Sequence, residues 1–483
     1  MDLERLGTYA QLRLSEDAGD DANQKRMALF AGLATRYETA SSFFTPELQA
    51  IPEDKITAFR KDPRVAPYSI MLDKILRFRP HILSDAEERL LAMTGESDQT
   101  PSKTFGALTN VDFDFGSIDT PEGPRPLSQA AYAFFMQNPD RGIREKAYRQ
   151  FYGVFDSHRN TLASLYEGSI HLDIYKARAR KYPSARAMAL FPDKVPEEVY
   201  DNLVSTIHEF FPALHRYYAL RKKVLGVPEL RHYDVYVPLV KGVTTRYPYE
   251  EAAQVIADAV VPLGADYRDT IRNGLLSGWV DRYENKGKRA GAFSSGAYGA
   301  DPYILMNYKE DVLSDLFTLI HEGGHSMHSH YSMANNPFQH YEYTIFEAEV
   351  ASTFNEQLLA DHLLKRADSR EMKAFIIGKL VDDTIATIFR QTMFAEFEHR
   401  CHRIVEEENP LSTDVFRQEY RKLLEAYFGP EMVFEEESDL EGLRIPHFYR
   451  AFYVYKYATG LSAAISLAQR VLNGGAAERD AYL

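Results

Sequence analysis

The 483 residues include a single cysteine, Cys401, and a single tryptophan. A lone thiol cannot close an internal disulfide, so the fold has no covalent staple and suits a reducing compartment. Cys401 reads as a small buried apolar residue, not as a nucleophile. No apolar run approaches the roughly 20 residues that a membrane-crossing helix needs, which excludes a spanning protein. Met1 to Leu14 alternates acidic, basic and apolar residues and lacks the unbroken apolar core of a secretory signal, so a soluble cytoplasmic location is expected. Basic runs are missing too. The nearest is Lys286 to Arg289, which reads as a solvated turn, and a net charge of -14 argues against nucleic acid as a partner. No internal repeat and no low-complexity tract is present, so a solenoid is not indicated.

What is present is a globular composition, 45% apolar and 26% charged, in a chain far longer than one minimal core requires. Aromatics are abundant, with 31 Tyr and 29 Phe, and tyrosine combines contact area with a hydroxyl that serves either packing or a ligand. Apolar residues recur three and four apart over Asn23 to Tyr37, Ala130 to Ala177, Pro196 to Leu225 and Ser369 to Glu408, which predicts a mainly α-helical protein. Breaks fall at Thr120 to Leu127, Pro192 to Pro196 and Ser277 to Gly299. The expected organisation is a helical lobe over residues 1–95 and a larger catalytic body over 96–483. Two segments, Thr104 to Phe115 and Gly291 to Tyr308, mix aromatics with glycine and read as strands of a small sheet. The second is either a structural hairpin or an edge to which an extended peptide adds.

Directly after it, Asp311 offers an N-cap, and Val312, Leu313, Leu316, Phe317, Leu319 and Ile320 supply the apolar face of a buried helix. On that helix stands His321-Glu322-Gly323-Gly324-His325. Imidazoles four apart share a face, so both reach one cation. Glu322, rotated by about 100 degrees, suits a general base that does not itself ligate. Two glycines in mid-helix each cost about 1 kcal/mol relative to alanine, which demands a reason such as close packing or clearance for a substrate. A catalytic zinc takes three protein ligands and leaves one position open. The metzincin spacing fails, because positions 328 and 331 are His and Tyr. Thr344 to Lys365 is a helical stretch with a buried stripe of Phe346, Val350, Phe354 and Leu358. Glu349 adjoins the stripe and is chosen as third ligand. Glu356, seven residues on, is chosen as the acceptor that orients a ligand imidazole. Glu347 lies about 200 degrees from Glu349 and is expected to be exposed. His328 reads as a residue that either supports a ligand from behind or packs, His330 as surface and His340 as loop.

Arg444 to Gly460 (RIPHFYRAFYVYKYATG) reads as a helix after Pro446 in which Tyr449, Tyr453 and Tyr457 share a face while Tyr455 points elsewhere. Its hydroxyls and His447 either steady a developing oxyanion or form an aromatic packing seam.

Four stretches, GAFSSGAYGADPYILMNY, TLIHEGGHSMHSHYS, FEAEVASTFNE and IPHFYRAFYVYKYATG, resemble those of the oligoendopeptidase F family within the thimet-oligopeptidase-like zinc metallopeptidases. The resemblance extends more weakly over nearly the whole chain. It implies a helical clamshell with a deep central channel, one Zn2+ per chain, and short peptides as substrates. It agrees with His321, His325 and Glu349 as ligands and Glu322 as base, and it implies substrate contacts for His447 and for Tyr453 and Tyr455. Members of the family usually continue beyond the segments that match Met1 and Leu483, so a shortened member or a fragment is expected. The competing readings are a metallocarboxypeptidase and a non-catalytic peptide-binding homologue.

Overall fold

Residues 21–41, 129–179, 197–225 and 370–406 form the helices that the three-and-four spacing demands, interrupted where Pro, Gly or a turn intervenes. The computed structural model describes residues 1–240, 243 and 245–483, and is mainly helical with small sheets. No helix among the described residues is long and apolar enough to cross a membrane. The chain divides into two compact units, each drawn from separated stretches.

One unit takes Met1–Pro80, Gly242–Leu380 and Thr459–Leu483. It contains helix α1 (Asp2–Glu16), helices α2 (Tyr249–Ala259) and α3 (Ala265–Leu276), strands β1 (Val280–Asp281), β2 (Phe293–Ser295) and β3 (Tyr303–Leu305), and helices α4 (Leu313–Asn335) and α5 (Ile345–Arg366). The expected sheet is present in the order β1-β3-β2, with β1 parallel and β2 antiparallel to β3, so β2 is an edge strand. Beneath it Ile256, Ile271 and Leu275 meet Leu316, Leu319 and Ile320 of α4 and Phe354, Leu358 and Leu359 of α5 in one apolar core. Each such side chain contributes about 1.5–3 kcal/mol on burial, so the two helices are fixed along their length.

The helix starts differ from the expectation in an instructive way. Asp311 is not the cap of α4: Val312 occupies that position, and Asp315 accepts the Lys309 N–H at 2.8 Å. Glu347 opens α5 in a capping box, accepting the Thr344 N–H at 2.8 Å, which gives this carboxylate a structural task.

The second unit takes His81–Lys241 and Val381–Ala458. Asp140 caps the helix Arg141–Ser157 by accepting from Gly142 and Ile143, and Ser412 caps Thr413–Phe428. The abundant aromatics pack here: Tyr148, Phe151, Tyr152, Phe155, Tyr166, Phe397, Phe416 and Tyr420 are all within 1% of complete burial. Two segments depart from their expected form. Thr104 to Phe115 is helix Thr100–Ala107 followed by a wider turn over Leu108–Asp112, because Phe105 and Phe115 are buried from a helix and a loop and not from alternate positions of a strand. The break at Thr120 to Leu127 instead carries a short antiparallel hairpin, Ser117–Thr120 with Gly123–Pro126. Arg444 to Gly460 is not one helix. A 3-10 turn, Pro446–Tyr449, is separated from helix Tyr455–Gly474 by Phe452 in the left-handed region (φ 56), which breaks the shared tyrosine face.

Candidate metal centre

The glycines of α4 have separate physical reasons. A Cβ on Gly324 would stand 2.7 Å from the Ser352 Cα and 2.9 Å from the Ala351 carbonyl oxygen, so its absence is what lets the backbone of α5 lie against α4. On Gly323 it would meet only the end of the Ile271 side chain, at 3.0 Å. The close approach carries Glu349 to the two imidazoles.

His321, His325 and Glu349 are brought together so that one ligand atom from each lies within 4.8 Å of the others. Glu349 Oε2 is 3.5 Å from His321 Nε2 and 3.9 Å from His325 Nε2, with the two rings at 83° to each other. A tetrahedral ion with bonds of about 2.1 Å holds its donors roughly 3.4 Å apart, so the spacing fits a small divalent cation. All three side chains keep between 18% and 25% of their surface exposed, which leaves an approach from solvent. Glu356 Oε1 lies 2.5 Å from His321 Nδ1 and fixes that ring with its other nitrogen toward Glu349. Two imidazoles and a carboxylate, with a second carboxylate orienting one ring, make a candidate metal site.

The charges follow from the same packing. Burial, followed by the positive field of His321 and His328, pushes His325 down to about 3, so its ring is neutral, the form that ligates. Burial also works against a charged His321, but the hydrogen bond and charge of Glu356, with Glu322 and Glu349, outweigh it and raise this ring to about 8. Glu322 is buried, and desolvation raises its carboxyl to about 7 against the pull of His321. The Ser294 N–H on β2 donates to Glu322, while Ser294 Oγ lies 2.8 Å from Ser326 Oγ on α4. Ser294 carries no role in the sequence reading; its place in a strand just before the metal helix was the one available signal. His328 stacks on Tyr343 with ring centres 3.7 Å apart, a packing role. His330 is half-buried near Trp279 and His340 sits in a turn.

His447, Tyr453 and Tyr455 belong to the second unit. His447 is exposed and parallel to Tyr453 at 6.1 Å, and the Tyr457 hydroxyl donates to that of Tyr453 at 3.3 Å. Tyr455 is fully buried with its ring 5.3 Å from that of Tyr200.

Comparison with known proteins gives this geometry a lineage. A family model described as Peptidase family M3 matches residues 134–483, and one described as Oligopeptidase F matches residues 47–115. The chain is 44% identical to an oligoendopeptidase F homologue of Borreliella burgdorferi, covering 96% of this chain and 78% of that protein. It is 42% identical to oligopeptidase PepF of Bacillus subtilis, covering 100% and 72%. A crystal structure of oligoendopeptidase-F from Enterococcus faecium superposes with a TM-score of 0.75 at 34% identity, over 100% of this chain and 82% of that one.

Proposed function

The chain belongs to peptidase family M3, a family of metallopeptidases, and from that premise we propose that it cleaves internal bonds of short peptides with one zinc ion held by His321, His325 and Glu349. The observation that carries this reading is the meeting of two imidazoles from α4 and one carboxylate from α5, with Glu356 behind the first ring. Zinc bound there would act as a Lewis acid on the scissile carbonyl and on the attacking water. Glu322 takes the proton of that water and delivers it to the leaving amine, a task suited to a carboxyl raised to about 7 because it is then poised near neutral pH. The Ser294 N–H holds the Glu322 carboxylate in place. Among the described residues β2 is an edge strand, with β3 on one side and its Ser294 N–H given to Glu322, and its remaining edge groups are the proposed pairing site for an extended substrate. The expected substrate contacts of His447, Tyr453 and Tyr455, all in the second unit, are tested by Tyr453→Phe and Tyr455→Phe, a lowered kcat at unchanged zinc content marking the residue that makes one.

Glu322→Gln tests the assignment directly. It is expected to keep one zinc per chain and to lose turnover of a quenched fluorescent peptide by about 10²- to 10⁴-fold, the usual worth of a general base. Activity close to that of the parent would remove Glu322 from this role. Mass spectrometry of products from an N-terminally blocked peptide separates internal from terminal cleavage, and cleavage that survives a chelator would rule out the metal.

A further inference from the structure

Both imidazoles of the centre have a partner on α5 that fixes them. Glu356 holds His321 from behind, and the His325 ring donates to the Ala348 carbonyl. Glu349 is the ligand with the most freedom, because its side chain turns about three bonds and keeps 25% of its surface exposed. Its Oε2 is the oxygen that stands close to both rings, so ligation needs the carboxylate held in one orientation.

One hydroxyl reaches that oxygen. Ser352, one turn on from Glu349 along α5, is completely buried, and its Oγ lies 3.3 Å from Glu349 Oε2 and 3.1 Å from the Glu349 main-chain oxygen. The close approach of α4 at Gly324 falls on Ser352 itself, so water does not compete for its proton. A buried donor left unused is costly, and these two oxygens are its acceptors among the described residues.

The main-chain oxygen is the poorer destination. Within the helix it accepts the Thr353 N–H, four residues on, and the Thr353 hydroxyl also donates to it at 2.5 Å. A carbonyl oxygen has two lone pairs, and Thr353 takes both. The carboxylate offers a negative charge, and a donor bound to an ionised acceptor makes a bond about twice as strong as one to a neutral acceptor.

We propose that Ser352 is a positioning residue of the metal centre, its hydroxyl donating to Glu349 Oε2 and holding that oxygen toward His321 and His325. An oxygen that accepts from Ser352 through one lone pair keeps another for a cation, so the two roles do not compete. Each ligand then has its own partner on α5: Glu356 for His321, Ala348 for His325 and Ser352 for Glu349. Ordering the carboxylate in advance lowers the cost of binding the ion. The inference deepens the reading of this chain as a zinc peptidase and rests on it.

Ser352→Ala tests it, removing the donor and leaving every ligand in place. Zinc affinity, read by competition against a chromophoric chelator, is expected to fall about tenfold. That is the lower end of the 10- to 100-fold usual for groups that orient metal ligands, since 3.3 Å is long for a bond to a carboxylate. The Tm of the metal-free protein is expected to move by no more than about 3 °C. A second readout is one that packing alone does not move: the visible spectrum at saturating Co2+ reports the arrangement of donors around the ion, and its shape is expected to change. This spectrum decides the matter even where Tm shifts further. Thr353→Ala is the control, because it frees only the main-chain oxygen of Glu349; its zinc affinity is expected to stay within about threefold of the parent, with the parent's Co2+ spectrum. Zinc affinity of Ser352→Ala within about twofold of the parent, an unchanged Co2+ spectrum, or equal losses in the two variants would overturn the inference. In those cases the parent still binds zinc and the peptidase reading stands. A parent chain that takes up no zinc overturns both.

Discussion

Replacing Gly324 by alanine is the sharpest perturbation of the centre that leaves every ligand in place. The new methyl carbon would lie 2.7 Å from the Ser352 Cα where ordinary contact begins at 3.4 Å, so α5 has to retreat by about 0.7 Å. Metal–ligand bonds tolerate only about 0.2 Å. Glu349, three residues from Ser352 on the same helix, cannot follow the ion over that distance without leaving its rotamer or stretching its bond. Overpacking of this kind costs about 1–3 kcal/mol, of which alanine's better helix propensity returns about 1 kcal/mol. Global stability is therefore expected to fall by about 0–2 kcal/mol, and zinc affinity by at least about tenfold, or 1.4 kcal/mol. Competition against a chromophoric chelator reads the affinity, and thermal unfolding of the metal-free protein reads the stability. Gly323→Ala is the internal control: its methyl meets only the Ile271 Cδ1 at 3.0 Å, the movable end of a side chain, and zinc affinity is expected to stay within about threefold. Equal losses in the two variants, or none in Gly324→Ala, would refute the claim that this close helix approach builds the site.

Glu356→Ala removes the carboxylate 2.5 Å from His321 Nδ1 and is expected to weaken zinc binding about 10- to 100-fold in the same assay. Stability should also depend on pH through His232, which is 2% exposed and held at about 4 by burial against an ordinary value of 6.5. Its folded form stays neutral while the unfolded chain takes up protons, so stability is fully present above about pH 6.5 and is lost as pH falls toward 4, by about 3 kcal/mol. Urea midpoints at pH 7.5 and pH 5 measure the loss, and a His232→Gln variant is expected to show a flatter dependence. Phe397→Ala empties a completely buried position between Tyr420 and Phe448 and should cost about 3–5 kcal/mol, read as a lowered Tm.

The coming together of His321, His325 and Glu349 was legible in the amino-acid sequence because its geometry is local to helices. Two histidines four apart must share a face, and a glutamate beside a buried stripe must point inward from its own helix. The meeting of Glu349 with both rings follows once the apolar faces of α4 and α5 share one core. The reason for Gly324 was not readable, since the sequence shows that a side chain is missing but not which backbone fills the space. Thr104 to Phe115 misled because two buried aromatics mimic a strand's alternation, while their burial is imposed from outside the segment. The tyrosine-rich stretch misled for another reason: the left-handed Phe452 is held by its surroundings, and no glycine announces it. Arg390 and Arg444 were equally silent, because Glu441, a buried counter-ion 51 residues from Arg390, leaves no periodic trace.

Every group of the centre but Ser294 comes from the stretch His321 to Glu356, whose ends are only 35 residues apart, on two helices that share one apolar core. Its affinity for metal is thus a property of that helix pair, since the packing that fixes it lies within the same unit. Arg390 and Arg444 belong to a separate network, Glu441 with Tyr152 and His232, which among the described residues includes none of these groups. Groups that share no partner contribute independently, so losses at the two places add in free energy. Changes at Gly324 or Glu356 are therefore expected to act on metal content independently of changes at Arg390 or Arg444.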